Sequence, residues 1–320
     1  RGLLSVKIMI VTPAAAGSRH GNRNTAARWA SLLRKLGHRV VVQVSWDGTP
    51  ADAMIALHAR RSHESLMRFK QARPARPVVL ALTGTDLYRD IRVDPSARES
   101  MLVSDRLIVL QDMGLKELSP VLRRKTRVIY QSARLVAPQP PLKSCFEVAV
   151  SGHLREEKDP FRAAAALHYV PPPSRIRVTH MGGAMSEEMA SEARQWMARE
   201  PRYHWLGELP RGGALRRLAR SRLMVISSRM EGGANVVSEA LAVGVPVIAS
   251  RISGNIGMLG PDYAGYYPVE DEKALARLLW RAECDAVYYR RLKQQCAARR
   301  HLVHPQREAR NLGKLLAELC

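Results

Sequence analysis

Short apolar runs of four to seven residues recur along most of the chain, separated by longer stretches with a helical period. The runs are rich in Val, Ile and Leu, which predicts strands that are buried on both faces. They cover residues 6–11, 39–44, 53–57, 77–82, 106–110 and 127–130, and then residues 146–151, 175–181, 203–206, 223–227 and 245–249. Strands that alternate with helices predict an α/β fold with parallel, doubly wound sheets.

A Pro-rich segment at residues 137–143 interrupts this alternation and predicts a linker. It separates a first domain, residues 1–142, from a second domain, residues 143–303. The tail, residues 274–302 and 306–319, has helical composition and periodicity. We expect the two domains to face each other across a cleft, with ligands at the carboxyl ends of the strands.

The composition is that of a globular protein. The chain has 320 residues, 46% of them hydrophobic, which is enough for two domains. Its longest mainly apolar stretch, residues 234–250, contains Glu239 and Pro246 and is shorter than the roughly 20 residues that span a bilayer. We therefore expect no stable membrane insertion. The four cysteines lack paired or metal-ligand spacing, which predicts reduced thiols and a cytoplasmic protein.

The formal net charge of +22 would suit a nucleic-acid-binding protein, but its distribution favours another interpretation. Residues 1–142 hold 24 Lys and Arg against 10 Asp and Glu, whereas residues 143–320 hold 27 against 19. Only 5% of the chain is aromatic, and nucleic-acid modules usually combine basic residues with exposed aromatic ones. A basic first domain fits an anionic small substrate or an acidic membrane surface at least as well, so we expect no nucleic-acid partner.

Two carboxylates, Glu231 and Glu239, stand eight positions apart around a glycine pair, Gly232 and Gly233. Glycines let the backbone approach a ligand, and amide N–H groups at a helix N-terminus favour an anion such as a diphosphate. Carboxylates accept hydrogen bonds from the hydroxyls of a sugar and a ribose. The pattern predicts a nucleotide-sugar site; a helix cap at Glu231 with a solvated Glu239 is the alternative.

The loop after the first predicted strand carries donors for an anion. It contains Gly17, Arg19, His20 and Asn22 and leads into a helix. It lacks the Gly-x-Gly-x-x-Gly and Gly-Lys-Ser/Thr patterns, which argues against a nicotinamide dehydrogenase and a P-loop enzyme. A long polar loop without a ligand is the alternative, although loops of this length are often functional.

A second loop follows the first strand of the second domain and contains His153, Arg155 and Lys158, while Gly182 follows the next strand. A cation in this loop would neutralise a departing diphosphate. No two Asp residues stand two positions apart, so the Asp-x-Asp clamp that holds Mg²⁺ or Mn²⁺ in many sugar-nucleotide enzymes is missing. We therefore expect no metal and no other cofactor.

These segments resemble the retaining GT4 type of GT-B glycosyltransferases, which have two Rossmann-like domains. The resemblance covers nearly the whole chain and is most specific at residues 231–250. It implies that Glu231 binds the donor sugar, Glu239 the ribose and Lys158 the diphosphate. It also implies that the C-terminal helix, residues 304–320, packs back on the first domain. The remaining donor-binding residues that it implies are His153, Arg155, Gly182, Gly232, Gly233, Ala234, Asn235 and Val236.

Two positions depart from the GT4 pattern. His153 stands where that family usually has Arg, and Thr83-Gly84-Thr85-Asp86 stands where it often has a His-Gly-x-Asp loop. Residues 12–25, 82–89 and 229–239 are more closely similar to the selenosugar synthases of selenoneine biosynthesis, a GT4-like family. Those enzymes join selenophosphate to the sugar of UDP-N-acetylglucosamine through a carbon–selenium bond.

This closer resemblance implies UDP-N-acetylglucosamine and selenophosphate as substrates, with Glu231, Lys158 and His20 as catalytic residues. It assigns the acceptor or its phosphate to the basic first domain, for which the predicted ligands are Gly17, Arg19, Asn22, Thr85 and Arg89. Two alternatives remain at this point. One is a glycosyltransferase with an oxygen acceptor such as a membrane lipid, in which residues 60–76 form a basic helix against anionic lipid. The other is a non-enzymatic nucleic-acid-binding protein.

Overall fold

The computed structural model describes residues 5–14, 21–137 and 139–319. The chain divides into two compact units, the first formed by Arg1–Gln131 with Pro305–Cys320 and the second by Ser132–His304. The boundary predicted after residue 142 therefore falls inside the second unit. Each unit contains one six-stranded sheet in which every pair of neighbouring strands is parallel.

The first sheet has the strand order β2-β1-β3-β4-β5-β6. Its strands are β1 (Lys7–Val11), β2 (Arg39–Gln43), β3 (Ala53–Leu57), β4 (Val78–Leu82), β5 (Arg106–Val109) and β6 (Thr126–Val128). Strands β3 and β4 are buried at every position and pair in the register Ile55 to Val79. Their side chains pack on both faces because helices cover both sides of the sheet.

The second sheet has the order β12-β11-β10-β7-β8-β9. Its strands are β7 (Phe146–Ser151), β8 (Ile176–Met181), β9 (Tyr203–Trp205), β10 (Leu223–Ile226), β11 (Val247–Ser250) and β12 (Tyr266–Tyr267). Strand β7 lies between β8 and β10, so the loops that follow these three strands meet at one edge of the sheet.

The helices fall between the strands and at the C-terminal end. They are α1 (Gly21–Lys35), α2 (His63–Ala72), α3 (Ile91–Val93), α4 (Pro95–Val103), α5 (Pro120–Arg124), α6 (Arg162–Leu167), α7 (Glu187–Arg199), α8 (Arg211–Arg220), α9 (Asn235–Val243), α10 (Ser253–Leu259), α11 (Glu272–Cys284), α12 (Ala286–Arg299) and α13 (Pro305–Ala317). Shorter 3₁₀ turns cover Asp112–Glu117, Glu156–Lys158 and Arg300–Val303, and a π turn covers Asp86–Asp90.

Helix α13 belongs to the first unit, where it packs on α1. The carboxylate of Glu308 is fully buried and accepts hydrogen bonds from Trp29 Nε1 at 2.7 Å and from Arg28 Nε at 3.0 Å. A buried charge is tolerated when it is paired and hydrogen-bonded, and Arg28 and Trp29 supply both here. Apolar residues of α13, among them Leu312 and Leu315, join the core on the same face of the sheet.

The predicted strands agree with the observed ones to within two residues at each end, and β12 is the one strand of the described residues that the pattern does not predict. The helical tail is divided at Asp285, which lies between α11 and α12. Its side chain accepts from the amides of Val287 and Tyr288 and so caps α12. Among the residues that the structure describes, no helix has both the length and the apolar character that crossing a bilayer requires.

Candidate functional site

Glu231 lies in the loop that follows β10, and its side chain is almost buried, with 9% of the residue exposed. Its Oε1 atom accepts hydrogen bonds from Lys158 Nζ and from Ser228 Oγ, the latter at 2.6 Å. Within the described residues its Oε2 atom has no hydrogen-bond partner, and no backbone amide reaches the carboxylate. The alternative that Glu231 caps a helix therefore does not apply, and one carboxylate oxygen is left to accept from a ligand hydroxyl.

Lys158 reaches Glu231 from the loop that follows β7, the neighbouring strand in the sheet. It ends the 3₁₀ turn Glu156–Lys158, after which Asp159 takes a left-handed conformation with φ of 46°. Ser227 Oγ donates to the backbone oxygens of Lys158 at 3.1 Å and Asp159 at 2.8 Å. The loops after β7 and β10 are thus joined by both backbone and side-chain contacts. His153 and Arg155 lie in the same loop as Lys158.

Helix α9 begins at Asn235, directly after the glycine pair. Gly232, Gly233 and Ala234 are buried, and Ala234 at the N-cap position offers no side-chain acceptor to the first turn. A helix N-terminus presents amide donors and the positive end of the helix dipole, which suits a phosphate group. Glu239 lies one turn inside α9, and its Oε1 is 3.4 Å from Arg211 Nη2 at the start of α8.

Helix α10 supports the Glu231 loop through contacts that the sequence analysis missed. A Cβ atom on Gly254 would lie 2.0 Å from the carbonyl oxygen of Glu231, so the two backbones touch. Ser250 Oγ donates to the Ser228 carbonyl at 2.6 Å, and Asn255 Nδ2 donates to the Ser250 carbonyl at 2.9 Å. The Ser253-Gly254-Asn255 sequence after a predicted strand is the feature that could have indicated this support.

Gly182 packs against the backbone of Gly152, since a Cβ atom on Gly182 would lie 1.9 Å from the Gly152 carbonyl oxygen. Beneath this contact lies His180, a further residue that the sequence analysis missed. Its Nε2 is 3.0 Å from the Gly152 carbonyl oxygen and its Nδ1 is 2.9 Å from the Tyr203 hydroxyl. Burial lowers the pKa of His180 to about 4, while the bond to Gly152 acts in the opposite direction. The imidazole is therefore neutral at physiological pH.

In the first unit, the loops after β3 and β4 meet at the carboxyl edge of the sheet. Asp86 is fully buried, and its carboxylate accepts from the amides of Ala59, Thr83 and Gly84 at 2.8 to 2.9 Å. Two of the predicted acceptor ligands, Thr85 and Arg89, lie at and within the π turn Asp86–Asp90. Asn22 lies in the first turn of α1, whereas Gly17, Arg19 and His20 are outside the described residues.

His58 and Asp90 are buried at the same edge, and the sequence analysis assigned a role to neither. His58 follows β3 with a φ of 77°, a strained value for a residue with a side chain. Its Nε2 is 3.2 Å from Thr85 Oγ1 and 3.8 Å from Asp90 Oδ2. A strained, buried histidine directly after a strand was the available indication. Within the part of the chain that the structure describes, no group of three His, Cys, Asp or Glu side chains could hold a metal ion.

The family model for glycosyl transferases group 1 matches residues 139–299, which is half of the chain and includes the whole Lys158–Glu231 arrangement. The chain belongs to this family. No curated protein matched the chain. The sequence prediction of a sugar-transferring family is confirmed at this level.

Solved structures of other glycosyltransferases share the fold over almost the whole chain. HepE of Anabaena, solved with UDP and glucose, is 16% identical with a TM-score of 0.77 and covers 98% of this chain and 100% of its own. Sucrose-phosphate synthase of Thermosynechococcus elongatus is also 16% identical with a TM-score of 0.77, covering 98% of each chain. The lipopolysaccharide outer core galactosyltransferase WaaB is 13% identical with a TM-score of 0.68, covering 98% and 99%. The predicted α/β, GT-B fold class is confirmed.

Proposed function

We propose that this group 1 glycosyltransferase is a selenosugar synthase that transfers N-acetylglucosamine from UDP to selenophosphate. The second unit binds the UDP-sugar and the first unit binds the acceptor. The observation that carries the donor assignment is the buried Glu231 carboxylate, with one oxygen engaged by Lys158 and Ser228 and the other oriented by those contacts. HepE, which has the same fold, was solved with UDP-glucose, and this supports a nucleotide sugar.

Glu231 would accept a hydrogen bond from a hydroxyl of the donor sugar through Oε2. Because its other oxygen is fixed by two donors, the carboxylate is positioned before the ligand arrives, which lowers the cost of ordering it on binding. Glu239 would accept from the ribose hydroxyls one turn into α9. These roles, and those of His153, Arg155 and residues 232–236, are proposals that rest on placement at one edge of the second sheet.

Lys158 would stabilise the departing UDP together with the amides at the start of α9. In the transfer step a selenium lone pair forms the bond to the anomeric carbon while the bond from that carbon to the diphosphate oxygen breaks. The electron pair of the broken bond leaves with UDP, and the immediate product keeps the phosphoryl group on selenium. Positive groups that face the diphosphate favour this step because negative charge accumulates there.

The choice of selenophosphate rests on the similarity of residues 12–25, 82–89 and 229–239 to selenosugar synthases and on the basic character of residues 1–142. Selenophosphate is a small anion, and the first unit offers arginines at the carboxyl edge of its sheet. We also propose that the protein acts without a metal ion and without binding nucleic acid.

The decisive experiment incubates the protein with selenophosphate and a panel of UDP-sugars and identifies products by mass and selenium isotope pattern. We expect a selenium-containing N-acetylhexosamine product together with UDP. In Glu231→Ala and Lys158→Ala the rate should fall by about 100-fold or more, whereas the exposed Glu187→Ala and Lys293→Ala should retain it. Transfer to a lipid or another oxygen acceptor, with none to selenophosphate, would contradict the acceptor and leave the donor assignment standing.

A further inference from the structure

Asp90 holds two arginines together at the carboxyl edge of the first sheet. Only 3% of Asp90 is exposed, and its two carboxylate oxygens are used by different partners. Arg60 Nε lies 3.1 Å from Oδ2 and Arg89 Nε lies 3.1 Å from Oδ1. Arg60 comes from the loop after β3 and Arg89 from the π turn after β4, so one buried carboxylate places two guanidinium groups side by side.

The terminal nitrogens of both arginines are available to a ligand. A guanidinium carries five N–H donors in a planar fork, and Asp90 engages each arginine through Nε. In residues 5–14, 21–137 and 139–319, no hydrogen bond reaches Nη1 or Nη2 of Arg60 or Arg89. Their side chains are 41% and 48% exposed. Each therefore presents two terminal nitrogens, with four N–H donors, to solvent while Asp90 holds its Nε in place.

Thr85 adds a hydroxyl donor next to this pair. His58 Nδ1 accepts from the amide of Arg61 at 3.3 Å, so the imidazole proton is on Nε2 and is donated to Thr85 Oγ1. Burial lowers the pKa of His58, which keeps the ring neutral and this hydrogen-bond direction fixed. Since Thr85 Oγ1 accepts from His58, its own O–H can donate to a ligand. Thr85 and Arg89 are four positions apart in a helical turn and share one face of it.

We propose that Arg60, Arg89 and the Thr85 hydroxyl form a binding site for one tetrahedral oxyanion of the phosphate type, with Asp90 and His58 as positioning residues. Paired guanidinium groups recognise such oxygens bidentately, and a hydroxyl completes the set of donors. The assignment of this oxyanion to the acceptor rests on the proposed function. The existence of the site does not, because it follows from the donor geometry.

Three carboxylates lie close to the arginines of the proposed site, so net positive charge alone does not explain binding of an anion there. Asp86 satisfies three backbone amides, and Asp94 caps α4 through the amides of Ser96 and Ala97. With Asp90, these carboxylates offset much of the positive charge of Arg60, Arg61 and Arg89. The affinity for an oxyanion should therefore depend on how firmly the guanidinium donors are held in place. Removal of the negative charge at Asp90 should weaken binding, because both arginines then lose the carboxylate that positions them.

The test titrates inorganic phosphate into the full-length protein and its variants by calorimetry. Arg60→Gln and Arg89→Gln should each lose at least about tenfold in affinity, since each removes charge-assisted hydrogen bonds. Arg92→Gln is the matched control, because Arg92 lies three positions after Arg89 and pairs with Glu117; it should stay within about twofold. Asp90→Asn should weaken binding although it makes the region more positive. Unchanged affinity in Arg60→Gln and Arg89→Gln, or tighter binding in Asp90→Asn, would overturn the site.

A second arm identifies the source of the oxyanion with vesicles that contain phosphatidic acid. Binding of free phosphate that depends on Arg60 and Arg89 assigns a soluble ligand. Binding to vesicles alone, with the same dependence, assigns a lipid phosphate and removes the link to a soluble acceptor.

The outcomes also separate the site from the proposed function. If selenophosphate gives no product but phosphate binding depends on Arg60 and Arg89, the proposed function fails and the site stands. If product forms but neither variant changes the affinity for phosphate or the KM for selenophosphate, the site fails and the function stands.

Discussion

The carboxyl edges of the two sheets are built by different means. In the second unit, backbone touches backbone: Gly182 lies against Gly152, and Gly254 lies against Glu231. In the first unit, side chains hold the edge between β3 and β4, since Asp86 gathers three amides and Asp90 holds two arginines. The first arrangement leaves no room for an added methyl group, and the second depends on charge.

This difference leads to opposite sensitivities. An edge formed by close backbone approach should be destabilised by the smallest steric change and should tolerate changes of charge on the exposed side chains around it. An edge held by buried carboxylates should be destabilised by a substitution that keeps the shape of the side chain but removes its charge, because buried amides then lose their acceptor.

Gly182→Ala should lower the free energy of unfolding by about 4 kcal/mol, because the new methyl group would lie 1.9 Å from a backbone oxygen that has little room to move. Gly183→Ala is the matched control. Its Cβ would lie 3.3 Å from Glu208 Cβ, a contact that needs a shift of only a few tenths of an ångström, and we expect a loss below about 1 kcal/mol. Chemical denaturation of both variants gives the comparison, and equal losses would contradict a steric origin.

The second effect is a loss of stability on acidification. Burial lowers the pKa of His180 to about 4 in the folded protein, from the ordinary histidine value of 6.5 that applies in the unfolded chain. Above about pH 6.5 the ring is neutral in both states, so its contribution to stability is complete. As the pH falls towards 4, His180 becomes protonated in the unfolded chain but stays neutral in the folded protein. The free energy of unfolding therefore falls by about 3 kcal/mol.

The control for this effect is His180→Gln, which keeps hydrogen-bonding groups near Gly152 and Tyr203 but does not titrate. Its stability should fall less steeply than that of the wild type between pH 6.5 and 4. Denaturation midpoints measured across this range provide the comparison. Parallel curves for the two proteins would show that His180 takes no part in the acid sensitivity.

The strands were predictable from the sequence because buried parallel strands are continuous apolar runs, and β3 and β7 were predicted to the residue. Strand β12 was missed because two tyrosines are too short a pattern to read. The Glu231 segment was recognised from its glycines. Its ion pair with Lys158 was not, because 73 positions separate the partners and only strand order brings them together.

The side-chain contacts at the carboxyl edge of the first sheet could not be predicted from the sequence. Arg60 was considered as the start of a basic helix in the lipid alternative, and Asp90 and His58 were not considered, since nothing in their spacing relates them. Their association depends on β3 and β4 being neighbours and on the left-handed turn at His58, and neither is encoded in a local pattern. Arg89 and Thr85 were selected through a family resemblance, and their acceptor role is still a prediction.

The third prediction concerns Asp86. Asp86→Asn should cost about 2 kcal/mol of unfolding free energy, because an amide NH₂ would face backbone donors that now share a carboxylate. Asp94→Asn is the control. Asp94 also accepts two backbone amides, but it is a partly exposed helix cap, where Asn serves nearly as well. Urea denaturation should show a loss for Asp94→Asn below about 0.5 kcal/mol. Equal losses would mean that burial adds nothing at Asp86.

The last prediction is that removal of metal ions does not change the rate of product formation. It tests the source of positive charge at the carboxyl edge of the second sheet. Lys158 and the amides at the start of α9 are proposed to meet the charge of the departing diphosphate, and the chain has no Asp-x-Asp pair to recruit a cation. The rate of product formation should therefore be the same with and without EDTA. A loss of rate that Mg²⁺ or Mn²⁺ restores would show that one lysine and a helix terminus are too weak for this leaving group. The backbone-built edge would then need a charge from outside the chain, whereas the arginine-built edge of the first unit carries its own.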